Sequence, residues 1–272
     1  MIVQSGWQVG SLSVAEACDR YMMSTFGNAF GRALVEDAAP AVGERVLDLA
    51  CGTAEVARAA ARRVGPSGRV AALDLNAAML AMAQAIPQTD GPPIEWHEAS
   101  AMELPFEDGS FDLVCCHQGL QFFPDQPAAL REVWRVLVPG GRIAFGLWRR
   151  LEHQPFYAAL AQALDQYLGP QTSAGLRTAF VLGGAADLRA LVSGADFQDV
   201  HVRLHSQLIR YPSLDEYVLG YLSGSPMAPA VAALDEATRQ AMLGSIRASM
   251  AEYVDDDGMA SPWESHVVTA RA

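Results

Sequence analysis

Two acidic side chains and a small-residue loop form the first candidate ligand site. Asp48 lies near the end of the strand-like run RVLDLA (45–50), just before Gly52, and Asp74 ends a second run, RVAALD (69–74). The small residues around Gly52 let a ligand approach the backbone and the start of the following helix. An aspartate at a strand end can accept hydrogen bonds from both hydroxyls of a ribose. The spacing therefore predicts a nucleoside-binding site.

Nicotinamide dinucleotides and S-adenosylmethionine both use a site of this kind. A dinucleotide site requires G-x-G-x-x-G, whose later glycines let a pyrophosphate rest on the helix. Here the loop has one glycine, and Ala54 and Ala57 occupy the later positions. Asp48 would repel a pyrophosphate, whereas it suits the ammonium group of a methionine chain. The loop therefore favours a sulfonium ligand.

His117 is the candidate general base. It follows the apolar run FDLVCC (111–116), which is typical of a buried strand. The unperturbed pKa of an imidazole, near 6.5, suits proton transfer at neutral pH. A pocket histidine that is hydrogen-bonded and moves no proton is an equally compatible interpretation.

Strands and helices must alternate to bring these residues together. Between residues 45 and 148 they do so five times, with short connections and nearly continuous apolar strands, which predicts a doubly wound α/β fold. The predicted sheet is Rossmann-like, seven-stranded and mostly parallel, with its last strand antiparallel. The predicted strands are 45–50, 69–74, 94–98, 111–116 and 142–148, and the predicted helices are 55–64, 76–86, with Asn76 as the N-cap, and 125–138.

The pattern loosens after residue 150. We expect a single domain over 1–272, with a cofactor-binding core at 40–150 and a helical substrate lid made of 151–187 and 213–252. A dimer contact is the alternative role for the lid segments. The elements predicted there are helices at 152–168, 187–195, 213–223 and 230–252 and strands at 198–209 and 265–271.

Four blocks of the sequence resemble the class I S-adenosylmethionine-dependent methyltransferases. They are VLDLACGTAEVA (46–57), ALDLNAAML (72–80), EASAMELPFEDGSFDLVCC (98–116) and LREVWRVLVPGGRIAF (130–145). The group of closest resemblance contains the ubiquinone/menaquinone C-methyltransferases and many small-molecule O- and N-methyltransferases. The resemblance covers about residues 40–150. It implies S-adenosylmethionine as the cofactor and O-, N- or C-methylation of a small organic acceptor by in-line displacement, in secondary metabolism.

The resemblance also implies which residues form the site. The methionine portion of the cofactor would contact Asp48, Ala50, Cys51, Gly52 and Thr53, and the ribose would contact Asp74. The adenine would lie among Leu75, Met79, Ser100, Ala101 and Met102. The sulfonium would face His117 and Gln118, and the substrate would face Tyr21, Gln121, Phe122 and Trp148.

Two positions depart from the family pattern. Ala54 stands where the family often has glycine, and Ser100 stands where an aspartate usually accepts from the adenine amine. A neutral hydroxyl is a weaker acceptor than a carboxylate. We expect a competent cofactor site of modest affinity.

The composition excludes several other chemistries. The chain has 272 residues and a net charge of −12, and its 19 basic residues are all arginine, so Schiff-base or P-loop lysine chemistry is impossible. The acidic charge argues against nucleic-acid binding. The four cysteines and the histidines show no metal-ligand spacing, so we expect no metal. Without a signal peptide or a long apolar span, we expect a cytoplasmic monomer or homodimer with no membrane contact.

Two alternatives to methyl transfer stay open at this point. All three carbons on a sulfonium are activated, so an enzyme of the same fold could catalyse intramolecular cyclisation or elimination and release methylthioadenosine. A non-catalytic binding protein could keep the fold without turnover.

Overall fold

The computed structural model describes Ala17 and residues 19–272, without the side chains of residues 19, 23, 24, 26 and 28. The strands are β1 (Arg45–Leu49), β2 (Arg69–Asp74), β3 (Ile94–Glu98), β4 (Phe111–His117), β5 (Leu137–Trp148), β6 (Gln198–Tyr211), β7 (Val254–Asp255) and β8 (Gly258–Arg271). The α-helices are α1 (Asn28–Ala38), α2 (Glu55–Val64), α3 (Ala77–Ala85), α4 (Gln126–Val136), α5 (Pro155–Leu168), α6 (Pro170–Thr178), α7 (Ala185–Ser193), α8 (Leu214–Ser223), α9 (Ala228–Ala232) and α10 (Glu236–Ser249).

One sheet joins the strands in the order β3-β2-β1-β4-β5-β8-β6, and the two-residue β7 pairs with β8. The pairs β1–β2, β1–β4, β2–β3 and β4–β5 are parallel, whereas β5–β8 is antiparallel. The strand order reverses between β1 and β4, which is where an open α/β sheet forms its ligand crevice. The predicted doubly wound fold with an antiparallel last strand is therefore confirmed, with β7 as an eighth strand.

Apolar side chains cover both faces of this sheet. Leu47 and Leu49 of β1 belong to one buried cluster, and Val46, on the opposite face of the same strand, belongs to the other. Residues alternate between the faces of a strand, so a strand buried on both sides must be apolar throughout. This explains why β1, β2 and β4, which lie inside the sheet, were recognisable as nearly continuous apolar runs.

The chain divides into two compact units. The larger unit contains residues 29–149, 179–205 and 265–272 and holds every predicted cofactor-binding residue. The other contains the described residues up to 28 together with residues 150–178 and 206–264. In that second unit, Tyr21, Phe156, Tyr217 and Trp263 are fully buried aromatic side chains. The lid role of residues 151–187 and 213–252 stays a prediction.

Some element boundaries differ from the prediction. Helix α4 ends at Val136, and β5 begins at Leu137, because Leu137 pairs with Phe111 across an irregularity in the β4–β5 register. The predicted helix 230–252 is two helices, since Asp235 caps a new one by accepting from the Thr238 backbone N–H at 2.8 Å. The final strand begins at Gly258, seven residues before the predicted start at 265, because a turn folds it against β7.

The Asn76 side chain accepts from the backbone N–H groups of Ala78 and Met79, so its predicted N-cap role is confirmed. Within the residues that the structure describes, no helix combines the length and apolar character needed to cross a membrane. Before α1, the backbone of Asp19–Gly27 forms a π-helix.

Candidate active site

Backbone hydrogen bonds join the loops that leave the carboxyl ends of β1 to β5. The Cys51 N–H donates to Leu73 O at 3.0 Å, and the Ala99 N–H donates to Asp74 O at 3.2 Å. On the other side of β1, the Gln118 N–H donates to Gly146 O at 2.8 Å. The loops that carry the predicted site residues therefore share one edge of the sheet.

The loop after β1 is a cradle of exposed backbone. Ala50, Gly52 and Ala54 all have positive φ angles, of 54°, 53° and 60°. A Cβ added to Gly52 would meet nothing within 4 Å, so open space lies beside this part of the backbone. Ala54 thus adopts, as an alanine, the left-handed conformation that favours the glycine common in the family. The departure noted in the sequence has a local conformational cost but leaves the cradle open.

Asp74 is placed to bind a ribose. Its Oδ2 accepts from the Gly52 N–H and its Oδ1 from the Asn76 N–H, both at 2.8 Å. A carboxylate offers about four acceptor positions, so each oxygen keeps capacity for a ligand hydroxyl. The neighbouring Leu75 side chain is 71% exposed, an apolar surface available to a flat ring. These residues fit the nucleoside half of S-adenosylmethionine.

Asp48 lies buried beneath the same loop. Its Oδ2 accepts from the Ala57 N–H at 2.8 Å, which fixes the start of α2, whereas its Oδ1 has no partner among the described residues. Burial raises the pKa of this carboxyl to about 7; the Ala57 hydrogen bond opposes the rise and the nearby Asp74 charge adds to it. A buried carboxylate with an unused oxygen suits a cationic ligand group. The contact with the methionine ammonium stays a prediction.

Arg58 was not identified from the sequence. This side chain on α2 is buried, and its Nη2 donates to Thr53 O at 2.7 Å. Glu55 lies 3.8 Å from Nη2, and Nη1 has no partner among the described residues. Burial lowers the pKa of the guanidinium. The pattern Glu55, Arg58, Arg62 was visible as one helix face, but nothing in it indicated which arginine turns inward.

Several predicted contact residues make local or core contacts. The Ser100 Oγ accepts from the Met102 N–H at 3.2 Å, and Ala101 is buried in the core cluster of the sheet. Met79 is partly buried on α3, and the Cys51 side chain is partly buried in its loop. Burial raises the pKa of the Cys51 thiol, so it stays protonated at neutral pH. Their roles toward the adenine and methionine portions stay predictions.

His117 lies at the end of β4 between two glycines. A Cβ added to Gly146 would lie 3.0 Å from the ring Cδ2, and one added to Gly31 would lie 3.8 Å from Nδ1. Burial lowers the pKa of the imidazole to about 4, so the ring is neutral at pH 7. Its Nε2 is buried without a partner among the described residues. A neutral ring of this kind can accept or donate one more hydrogen bond.

Gln118 and Gln121 form a hydrogen-bond chain whose amide orientations are fixed. The backbone N–H of Trp148 can only donate, and it lies 3.0 Å from Gln118 Oε1, so that atom is the carbonyl oxygen. Gln121 must then present its NH2 group to the same oxygen, at 3.0 Å. Its own Oε1 is left as a buried acceptor with no partner in the described part of the chain.

The remaining substrate candidates lie in different surroundings. The Phe122 side chain is 54% exposed beside Gln121. Trp148 is buried edge-on against Phe30 of α1, with ring centroids 4.9 Å apart. Tyr21 belongs to the other unit, where its buried ring packs against Gly220 and its hydroxyl donates to Glu216 at 3.2 Å. Packing is thus the observed contact of Trp148 and Tyr21, and their contact with substrate stays a prediction.

No group of three or more His, Cys, Asp or Glu side chains suited to a metal ion occurs in the described ranges. Three acidic side chains, Asp48, Glu55 and Asp74, lie around the loop against one basic side chain, Arg58, so acidic groups are in excess there. Such a crevice favours a cationic sulfonium and disfavours a pyrophosphate.

Comparison with known proteins finds similar methyltransferases. Residues 46–141 match the family model described as methyltransferase domain. A 2-phytyl-1,4-naphtoquinone methyltransferase of Thermosynechococcus vestitus is 47% identical over 103 residues, which cover 38% of this chain and 45% of that protein. A demethylmenaquinone methyltransferase of Lactococcus lactis is 44% identical over 102 residues, covering 37% and 40%. The chain thus spans less than half the length of these two relatives.

Solved structures share the fold. A phosphoethanolamine N-methyltransferase of Haemonchus contortus, in complex with S-adenosyl-L-methionine, aligns with a TM-score of 0.54 at 18% identity, over 96% of this chain and 60% of that one. At this identity the likeness concerns the fold alone. Residues 46–141 thus resemble a methyltransferase domain in sequence, and the chain shares the fold of this solved structure.

Proposed function

We propose that the protein transfers the methyl group of S-adenosylmethionine to a small organic acceptor and releases S-adenosylhomocysteine. The observation that carries this proposal is the pairing of the open backbone cradle at Gly52 with Asp74, whose oxygens keep acceptor capacity beside the exposed Leu75. The position of this arrangement inside the methyltransferase domain supports it.

The cofactor would supply an electrophilic methyl group on a sulfonium. Asp74 would hold the ribose hydroxyls, Leu75 would cover the adenine, and Asp48 would balance the ammonium charge. Because the carbon is already activated, the protein's work is to align the acceptor in line with the sulfur and to exclude water. The partly buried His117 and the buried Gln121, at and beyond the end of β4, suit that task.

The acceptor that we propose is an aromatic molecule with an O–H or N–H donor. Gln121 Oε1 can only accept, it is buried, and its orientation is fixed through Gln118 and Trp148. A bound donor would satisfy it, whereas a molecule without a donor would leave it unpaired and forgo a gain of about 1–3 kcal/mol. The exposed ring of Phe122 beside it supports an aromatic acceptor.

His117 is the group that we propose to receive the acceptor's proton. With a pKa near 4, the imidazole is neutral throughout the physiological range but is a weak base. Its Nε2 would therefore accept a hydrogen bond in the bound state and take the proton as the acceptor atom gains the methyl group and becomes acidic. Because the imidazole is already neutral at pH 7, it does not have to lose a proton before it accepts one from the acceptor.

We propose a cytoplasmic protein, monomeric or homodimeric, that uses small-molecule acceptors and does not bind nucleic acid. Cyclisation or elimination on the methionine chain, and binding without turnover, stay as alternatives, and the comparisons give them no support.

Product analysis by mass spectrometry tests the proposed reaction. The protein is incubated with S-adenosylmethionine, with and without a panel of phenols, hydroquinones and their O-methylated counterparts. We expect S-adenosylhomocysteine and a methylated product with donor-bearing acceptors, and no product with the blocked counterparts. Methylthioadenosine formed without any acceptor would contradict methyl transfer and favour the elimination alternative.

A further inference from the structure

Two opposite charges are buried at the start of α2, and each has an unused polar atom. Asp48 keeps Oδ1 and Arg58 keeps Nη1 without a hydrogen-bond partner among the described residues. Asp48 is 1% exposed and Arg58 is 8% exposed. Buried charges are costly unless they are paired and hydrogen-bonded, so two unsatisfied atoms of opposite sign need an explanation.

Hydrogen bonds at the start of α2 bring Asp48 and Arg58 to the same part of the structure. Asp48 Oδ2 accepts from the Ala57 N–H at 2.8 Å, and the next residue along the helix is Arg58. Arg58 folds back so that its Nη2 reaches Thr53 O, in the loop that begins just after Asp48. No ion pair within 4.0 Å joins Asp48 to Arg58 in the described part of the chain, so the two side chains do not neutralise each other directly.

Glu55 is a distant ion-pair partner of Arg58 and makes no hydrogen bond with it. It lies 3.8 Å from Nη2, which already donates to Thr53 O, and it also lies 4.0 Å from Arg62. Nη1 therefore has the capacity for one further anionic acceptor. Three acidic side chains lie around this loop: Asp48, Glu55 and Asp74. Their negative charge would repel a multiply charged anion. A single carboxylate that is attached to a cationic group carries no net charge and would not be repelled in this way.

We infer that Arg58 binds the carboxylate of the ligand's amino-acid portion, opposite Asp48 at the ammonium, so that the pair recognises a zwitterion. The inference rests on the proposed function, because S-adenosylmethionine and S-adenosylhomocysteine both end in such a group. An ammonium and a carboxylate on one carbon match two opposite charges set on adjoining backbone segments. Arg58 is thus a specificity residue for the amino-acid end of the ligand.

Calorimetric titration with a matched pair of ligands tests this role. The ligands are S-adenosylhomocysteine and its decarboxylated analogue, which keeps the nucleoside, the sulfur and the amine. The variants are Arg58→Gln and, as a control, Arg62→Gln, an exposed arginine one turn further along α2 that also faces Glu55.

The two ligands are expected to respond differently. Arg58→Gln should weaken S-adenosylhomocysteine by about 10- to 100-fold, the usual range for one hydrogen bond between charged groups, and leave the analogue's affinity unchanged. Arg62→Gln should change neither. An equal loss for both ligands would assign Arg58 a structural role, and no loss for either would remove it from the site; both results overturn the inference.

Two further measurements keep the test decisive. If Arg58→Gln does not fold, wild type and Arg58→Lys are compared. Wild type should prefer S-adenosylhomocysteine to the analogue by at least about tenfold, and the lysine variant should keep part of that preference; equal wild-type affinities overturn the inference. If wild type binds neither ligand, the proposed function fails as well, which distinguishes the two failures.

Discussion

At the scale of single residues, the account depends most on Asp74. Its two oxygens bind the Gly52 and Asn76 backbone and keep capacity for a ribose. Asp74→Ala should weaken S-adenosylhomocysteine by roughly 100-fold or more, because two hydrogen bonds to a charged group are lost. Calorimetry measures the loss, with Asp90→Ala, an exposed loop aspartate, as the control. Equal affinities of wild type and Asp74→Ala would remove the ribose assignment.

Asp48 and His117 give the ligand-free protein opposite dependences on pH. Asp48 has a folded pKa of about 7, above its unfolded value, so its contribution to stability is complete below about pH 4 and is lost as pH rises through 7. His117 has a folded pKa of about 4, below its unfolded value of about 6.5, so stability is lost as pH falls from about 6.5 to 4. The two contributions largely cancel between pH 4 and 6.5.

Single variants should separate these contributions. Relative to wild type, His117→Gln should gain stability as pH falls from about 6.5 to 4, and Asp48→Asn should lose it, each by roughly 3 kcal/mol. From about pH 6.5 to 8, Asp48→Asn should gain about 1 kcal/mol on wild type. Urea unfolding at a series of pH values measures these differences. Parallel curves for all three proteins would contradict the assigned pKa shifts.

His117 also has a role to be tested in turnover. His117→Ala should lower the rate of methyl transfer and leave S-adenosylhomocysteine affinity intact, because the contact that we propose for the ring is with the acceptor and not with the nucleoside. The measurement is product formation under saturating cofactor, with calorimetry beside it. Undiminished turnover would exclude His117 from the mechanism.

Residue spacing predicted Asp48 and Asp74 because each ends a recognisable strand before a loop. It could not predict Arg58, whose burial depends on its side chain folding back to Thr53 O. Nor could it predict the amide orientation of Gln121. That orientation is fixed through Gln118, whose side-chain oxygen accepts from the backbone N–H of Trp148 on β5. Both features depend on contacts between segments that the sequence alone does not bring together.

At the scale of elements, the pattern of apolar and polar residues located β2, β3 and α2 with the bounds that the structure shows. The predicted ends of helices and strands were wrong where pairing between strands determines them. Pro139, Gly140 and Gly141 suggest a break, yet they lie inside β5, where Gly140 and Gly141 bond to Ala272 beyond the end of β8. The residues before 265 include Gly258 and Pro262, so their strand conformation was not visible without the β7 partner.

The end of α1 offers a test of helix termination. Ala39 is exposed and has a φ of 45°, a left-handed conformation in the position where helices favour glycine. Ala39→Gly should raise the free energy of unfolding by about 1 kcal/mol. Ala81→Gly, in the exposed middle of α3, should lower it by about 1 kcal/mol. The two substitutions would have the same sign in urea unfolding if Ala39 were not strained.

At the scale of the whole molecule, the charge of −12 and the acidic crevice limit the ligands. We expect no association with duplex DNA at about 150 mM salt, because the protein offers no excess of positive charge to replace counterions. Fluorescence anisotropy with a labelled duplex measures this. Binding that weakens steeply with added salt would indicate a local basic surface that the net charge conceals.

The crevice at the β1 and β2 loops is proposed to bind S-adenosylmethionine and its product S-adenosylhomocysteine. Calorimetric titration with S-adenosylhomocysteine, with NAD as the comparison ligand, tests this proposal most directly. We predict saturable binding at one site for S-adenosylhomocysteine and none for NAD. Binding of NAD in its place, or of neither ligand, would contradict the account.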